Sequence, residues 1–242
     1  MSGLRSLPVL GFAAVIVLVA AGCRTIASPQ GWAAPVMTPS GVLTSLQTGK
    51  LTLTDLNTKT AVWQFPPAAD KQTKLQGLYG TPVVPDPGQM VVFGAYNGNV
   101  YALKLSDGSK IWEADTGAAI VGSPAVAGNV VYAGNSDGKL FALDLATGKQ
   151  RWTAKTGDRI WSSPVVNGDA VYVTSMDKKA YAFKTDGTRL WESKSVAGAI
   201  ASTPAVGSDR IFFGAFDKRL HALDRSDGKE LWQSSPPADN WF

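Results

Sequence analysis

The chain contains a single cysteine, Cys23, and a single histidine, His221, among its 242 residues. One cysteine cannot form an internal disulfide, and the Cys-x-x-Cys-His motif of c-type haem attachment is absent. Zinc sites built from cysteine and histidine clusters are excluded for the same reason. A Ser-His-Asp triad would depend entirely on His221, and no motif accompanies it. His221 stands where other units have Tyr101, Phe141 and Tyr181, which indicates a structural role.

Helical and nucleic-acid signatures are also missing. Beyond the N-terminal segment, no stretch repeats apolar residues at i, i+3, i+4 and i+7, so a helical fold is disfavoured. There is no phosphate-binding glycine loop and no recognition helix. The formal net charge is +4 and falls to +3 without residues 1–22, which hold Arg5 as their one charged side chain. That mildly basic balance fits anionic lipid or an acidic partner, not nucleic acid.

The chain does contain an internal repeat. Tryptophans recur at intervals of 49, 40, 39 and 41 residues, at Trp63, Trp112, Trp152, Trp191 and Trp232. Alanine and glycine recur near fixed offsets before them, at Ala102, Ala142, Ala182 and Ala222 and at Gly108, Gly148, Gly187 and Gly228. A period near 40 residues with strand-like content predicts propeller blades. We expect each tryptophan to pack between neighbouring blades, with Ala142 and Gly148 beneath or beside Trp152.

Each unit predicts four short strands joined by tight turns, such as Ser136-Asp137-Gly138. Two small residues and a proline precede the first strand of each unit, as in Ser162-Ser163-Pro164. The fold class is therefore all-β, a propeller of four-stranded antiparallel blades, with blades one to five over residues 32–239. Residues 240–242 resemble the start of a sixth blade, so we expect the chain to continue. A short propeller closed by dimerisation is the alternative.

The pattern Ala-x-Asp-x-x-x-Gly-x-x-x-Trp resembles the repeat of the quinoprotein (PQQ-like) β-propellers, and the resemblance covers Trp32 to Trp232. That superfamily includes PQQ-dependent alcohol dehydrogenases and the non-enzymatic BamB-type lipoproteins of outer-membrane assembly. Dehydrogenases of this kind often carry adjacent cysteines and an acidic calcium site. The cysteine pair is missing here, and Asp144 and Asp224 belong to the packing motif. We therefore expect no cofactor, no metal and no catalytic residue.

The N-terminus predicts export. Residues 1–22 combine a basic start, an apolar core and small residues before Cys23, and resemble a lipoprotein signal peptide. Cys23 is the predicted lipidation site, and residues 23–31 are the predicted tether. At most about 3.5 Å per residue, residues 24–31 reach under roughly 30 Å, which would hold the propeller close to a membrane. An ordinary signal peptide with a chance cysteine is the alternative, and the sequence does not specify which membrane.

Two sets of side chains are candidates for binding on one rim of the propeller. The first set could hold a planar charged ligand and consists of Asp158, Arg159, Trp161 and Tyr79. Ordinary packing at the blade entry is the alternative. Four cations in equivalent turns predict an anionic surface or acidic partner, with solvated turns as the alternative: Lys178, Lys179, Lys218 and Arg219.

These features favour a lipid-anchored, non-catalytic propeller that binds other envelope proteins. A PQQ-dependent dehydrogenase and an extracellular sensor or glycan-binding propeller are the competing hypotheses.

Overall fold

The computed structural model describes residues 33–46, 49–85 and 88–235, and these residues form β-strands, turns and loops without any helix. No helix capable of crossing a membrane occurs in this described part of the chain. The predicted signal peptide, Cys23, the tether and residues 240–242 lie outside the described residues.

Nineteen strands form five antiparallel sheets, and each sheet is built from strands consecutive in the chain. Blade one contains β1 (Val36–Thr38), β2 (Gly41–Leu46), β3 (Lys50–Thr54) and β4 (Ala61–Phe65). Blade two contains β5 (Met90–Gly94), β6 (Asn99–Lys104) and β7 (Lys110–Asp115). Blade three contains β8 (Ala125–Ala127), β9 (Val130–Gly134), β10 (Lys139–Asp144) and β11 (Gln150–Lys155). Blade four contains β12 (Val165–Asn167), β13 (Ala170–Thr174), β14 (Ala180–Lys184) and β15 (Arg189–Glu192). Blade five contains β16 (Ala205–Val206), β17 (Arg210–Gly214), β18 (Leu220–Asp224) and β19 (Glu230–Gln233).

The all-β fold predicted from the sequence is confirmed, with one difference in blade two. Its sheet has three strands, and the place of a first strand is taken by a single bridge between Val83 and Val92. The preceding segment, residues 66–78, also contributes to the core, because Leu75 and Leu78 are fully buried. The insertion between blades one and two therefore packs against blade two.

The alanine of the repeat lies between two aromatic rings. In blade three, Ala142 pairs with Tyr132 on one side and with Trp152 on the other. The two ring centroids are 5.8 Å apart. A methyl side chain is short enough to let both rings meet above it, whereas a larger residue would separate them. Tyr172, Ala182 and Trp191 repeat the arrangement in blade four, with centroids 6.1 Å apart.

The glycine of the repeat receives the tryptophan of the preceding blade. A Cβ added at Gly148 would lie 2.6 Å from Cε3 of Trp112, and φ at Gly148 is +71°. Trp112 Nε1 also donates to the carbonyl oxygen of Leu145 at 2.9 Å. The expectation that Gly148 lies beneath Trp152 is therefore wrong, since Trp152 packs on Gly187 instead. The same contact joins Trp63 to Gly108 and Trp191 to Gly228.

Burial of the repeated tryptophans is uneven. Trp63, Trp112 and Trp191 are each 8% exposed, and Trp152 is partly buried. Trp232 is 43% exposed, and no glycine in the described residues lies against its ring. Its ring contacts Phe212 of its own blade with centroids 6.0 Å apart, and its assignment to packing between blades stays a prediction.

The segment of two small residues and a proline that precedes each first strand also joins neighbouring blades. The backbone N–H of Thr81 donates to Ser123 Oγ at 2.7 Å, and that of Ser123 donates to Ser163 Oγ at 2.9 Å. The N–H of Ser163 donates in turn to Thr203 Oγ1 at 3.0 Å. Each hydroxyl thus accepts a hydrogen bond from the previous blade. The small residue before it is needed as well, because a Cβ at Gly122 would lie 2.4 Å from the Ser162 carbonyl oxygen.

Candidate binding rim

Two kinds of loop meet on one side of the blades, which we name the upper rim. It consists of the segments between second and third strands (95–99, 135–139, 175–179 and 215–219) and the loops between blades. Backbone hydrogen bonds join them, from Met176 N to Arg159 O at 2.9 Å and from Phe216 N to Ala199 O at 3.0 Å. The lower rim consists of the turns between first and second and between third and fourth strands. These are joined in the same way, from Thr185 N to Asp169 O at 3.0 Å.

The first candidate set lies on the upper rim between blades three and four. The guanidinium carbon of Arg159 is 5.9 Å from the ring centroid of Trp161, a cation–π arrangement. Trp161 Nε1 donates to Ser136 Oγ at 3.3 Å, and Asp158 Oδ1 accepts from Arg159 N at 2.7 Å. Trp161 is partly buried, while Asp158 and Arg159 are exposed. The Trp161 ring thus contacts Arg159 and the blade-three turn that contains Ser136.

Tyr79 lies on the loop that leads into blade two. Its ring centroid is 5.3 Å from that of Tyr96, which is 43% exposed. Tyr79 and Trp161 therefore stand on the loops leading into blades two and four. Tyr79 contacts the turn of blade two itself, and Trp161 contacts the turn of the preceding blade three.

The second candidate set occupies the upper-rim turns of blades four and five. Lys178 and Lys218 are exposed and have φ values of +74° and +65°, at positions where blades two and three have Gly98 and Gly138. Lys179 Nζ lies 3.0 Å from Glu192 Oε1. Arg219 Nη1 donates to the Ser234 carbonyl oxygen at 3.2 Å. The structure thus places all four predicted cations in equivalent turns of adjacent blades.

The aspartate of the blade-four turn faces inward, a feature that the sequence analysis missed. Asp177 Oδ2 accepts from Tyr181 Oη at 2.5 Å and from Gly157 N at 2.7 Å. Burial raises the pKa of Tyr181 well above its usual value, and the hydrogen bond to Asp177 and its negative charge raise it further. Tyr181 thus stays a neutral donor to this carboxylate. The aligned pairs Asp177/Tyr181 and Asp217/His221, each four residues apart, were the available signal.

His221 is 1% exposed and has partners on both ring nitrogens. Its Nδ1 lies 2.7 Å from Glu230 Oε1, and its Nε2 lies 3.1 Å from Asp217 Oδ2. The ring also stacks on Phe213 with centroids 5.3 Å apart. Both ring nitrogens thus contact carboxylates. None of these contacts involves a serine that could act as a nucleophile.

The aspartates of the repeat motif stabilise turns by accepting hydrogen bonds. Asp144 Oδ1 accepts from Ala146 N at 3.1 Å and from Thr147 N at 3.0 Å, and Oδ2 accepts from Arg151 Nη2 at 2.7 Å. The bond from Arg151, followed by those from Thr147, lowers the pKa of Asp144 to about 2. In the described ranges, no three or more His, Cys, Asp or Glu side chains are placed to hold a metal ion.

A family model described as outer membrane protein assembly factor BamB matches residues 47–159 and, in a second overlapping range, 96–240. The chain belongs to this family. The resemblance to the PQQ-like repeat is thereby confirmed. No curated protein sequence matches the chain.

Solved structures share the fold with this BamB-family chain. The computationally designed Ika8 protein aligns with a TM-score of 0.70 at 18% identity, covering 85% of this chain and 62% of that protein. BamB from Moraxella catarrhalis aligns with a TM-score of 0.60 at 18% identity, covering 84% and 72%. The quinohemoprotein alcohol dehydrogenase from Comamonas testosteroni aligns with a TM-score of 0.67 at 19% identity, covering 86% and 43%. Identities this low show the β-propeller fold and nothing about activity.

Proposed function

We propose that this chain is a lipid-anchored, non-catalytic propeller that binds other proteins of the bacterial cell envelope. The observation that carries the proposal is the BamB family match across residues 47–240, since that family is named for outer-membrane protein assembly. The blades support it, because the groups that might act in catalysis are used in structure. His221 is held by two carboxylates, and Asp144 holds a turn.

The proposed anchor is a lipid on Cys23. It is supported by the apolar segment and the small residues before this cysteine. Radiolabelled palmitate should appear on the wild-type protein and be absent from the Cys23→Ser variant. Equal labelling of both proteins would contradict the anchor, while leaving the binding role of the blades to be tested separately.

The non-catalytic proposal is tested against the dehydrogenase alternative. Purified protein is given PQQ and calcium, and dye reduction is followed with alcohols and sugars. We expect no turnover above that of the free cofactor. Cofactor-dependent turnover that is lost in Trp161→Ala would overturn the proposal, because Trp161 and Tyr79 are the aromatic residues of the first candidate set. Saturable binding of a sugar without turnover would instead favour a sensor or glycan-binding role.

The partner proposal is tested by photo-crosslinking in intact cells. A photoreactive amino acid replaces one exposed residue on each face: Arg159 on the upper rim, Asp186 on the lower rim and Ile111 on an outer strand. We expect a discrete envelope protein to crosslink reproducibly from at least one face. Three positions that yield no protein adduct, in cells where the propeller is folded, would contradict the scaffold role.

A further inference from the structure

The upper rim of blades four and five has a consistent positive charge. Each of its four segments, 155–161, 175–179, 193–199 and 215–219, has a net charge of +1. The corresponding turns of blades two and three, 95–99 and 135–139, are neutral, and the loop 115–121 is negative. On the lower rim of blades four and five, the segments 167–169, 184–189, 207–210 and 224–229 cancel to zero. Within blades four and five, the net positive charge therefore lies on the upper rim and not on the lower rim.

The carboxylates of these turns are turned away from solvent. The Asp217 side chain is 8% exposed and contacts His221 Nε2, and Asp177 accepts from Tyr181 and from Gly157 N. Lys178 and Lys218, by contrast, are exposed. A flat anionic surface that approaches this rim would therefore meet the ammonium groups first. Two carboxylates at this rim are exposed: Asp158, which Arg159 follows directly, and Glu192 at the end of β15, which pairs with Lys179.

An exposed aromatic residue lies among the cations. Phe216 is 66% exposed, at the tip of the turn that also carries Lys218 and Arg219. An exposed aromatic ring flanked by cations is typical of surfaces that sit at a membrane interface, where the ring enters the headgroup region and the cations meet phosphates. A lipid surface accounts for both features, because its phosphates pair with the cations and its headgroup region accommodates the ring. The combination favours a lipid surface.

The chain also enters blade one at this rim. Ala33 N donates to Leu78 O at 3.3 Å, and Ala34 N donates to Thr81 Oγ1 at 3.3 Å, so residues 33 and 34 lie against the loop that leads into blade two. A tether of under roughly 30 Å from Cys23 would hold this rim near the bilayer. The anchor and the cationic turns thus act on the same side of the propeller.

We propose that the upper rim of blades four and five binds anionic phospholipid headgroups, through Lys178, Lys179, Lys218 and Arg219 with Phe216 inserted between them. The orientation rests on the proposed lipid anchor, whereas the headgroup contact rests on the rim alone. It leaves the lower rim and the outer strands free for protein partners. Each cation near an anionic surface contributes about fivefold to binding.

Lysine footprinting tests the contact. The full-length protein, purified from bacterial membranes, is placed in nanodiscs of phosphatidylcholine alone or with phosphatidylglycerol, and lysine acetylation is read by mass spectrometry. We expect acetylation of Lys178, Lys179 and Lys218 to fall at least about fivefold in the anionic discs. Lys104, Lys149 and Lys229 on the lower rim are the internal controls and should react equally in both. Because exposed charges are screened by salt, 0.5 M sodium chloride, roughly a 4 Å screening length, should restore acetylation.

Variants distinguish lipid binding by these side chains from nonspecific shielding of the lysines by the disc. Lys218→Gln combined with Phe216→Ser should abolish the protection of Lys178, while the matched lower-rim change Lys149→Gln should leave it intact. Equal protection in both disc types, or protection of the lower rim instead, would overturn the proposal. Protection that needs whole envelope membranes and not lipid alone would also overturn it, in favour of an acidic protein. Rim protection on added anionic discs, with no lipid found on Cys23, would refute the anchor only.

Discussion

Truncation of Trp191 is the sharpest test of how the blades are held together. Its ring packs on Gly228 of the next blade, and Nε1 donates to Arg225 O at 3.0 Å. A ring of this size buries roughly 150–200 Å², which at about 25 cal/mol per Å² is about 4–5 kcal/mol. The hydrogen bond adds about 1 kcal/mol. Measured costs for removing buried tryptophans are about 3–5 kcal/mol, so we expect Trp191→Ala to lower the free energy of unfolding by that amount.

Trp232→Ala is the matched control, because the same side chain stands at the same place in the repeat. It is 43% exposed against 8% for Trp191, and the described residues offer its Nε1 no acceptor. It therefore buries about a third less area, and its truncation should cost roughly 2–3 kcal/mol less. Urea unfolding followed by circular dichroism gives both values from the midpoint and slope. Equal shifts in the two variants would refute the assignment of inter-blade packing to the tryptophan–glycine contact.

Three further predictions concern the turns. Gly148→Ala should destabilise the protein by about 2–4 kcal/mol in the same assay, because it combines a strained φ with a Cβ against Trp112; an unchanged midpoint would contradict this. Lys178→Gly should stabilise it by about 0.5 kcal/mol, since relief of left-handed strain exceeds the added entropy of the unfolded chain; a lowered midpoint would contradict it. The lowered pKa of Asp144 adds stability above its ordinary pKa near 3.8 that is lost as pH falls toward about 2. The fall in stability between these pH values should be shallower in Asp144→Asn, and parallel curves would contradict it.

The sequence alone determined the architecture. The spacing of the five repeated tryptophans, from Trp63 to Trp232, predicted the number and length of the units, because each repeat places one large ring at the same position. Turn residues such as Asp137-Gly138 placed the hairpins, since these are local conformational preferences. The proline before each first strand correctly predicted where that strand begins in blades one, three, four and five. In blade two the predicted strand is absent, and a single bridge at Val83 replaces it.

Tertiary structure decided which residues meet between blades, because period and spacing do not say which unit a side chain reaches. Gly148 lies beneath Trp112 of the preceding blade and not beneath Trp152 of its own. The hydroxyl of Ser163 accepts a bond from Ser123, forty residues away, a contact that no local pattern specifies.

The character of the rim was also settled only in three dimensions. In the sequence, Asp177 and Asp217 stand directly before Lys178 and Lys218. In the folded chain, these carboxylates turn toward Tyr181 and His221, and Lys178 and Lys218 remain exposed. The sequence fixes how many charges each turn contains, but the direction each one faces depends on the buried groups packed beneath it.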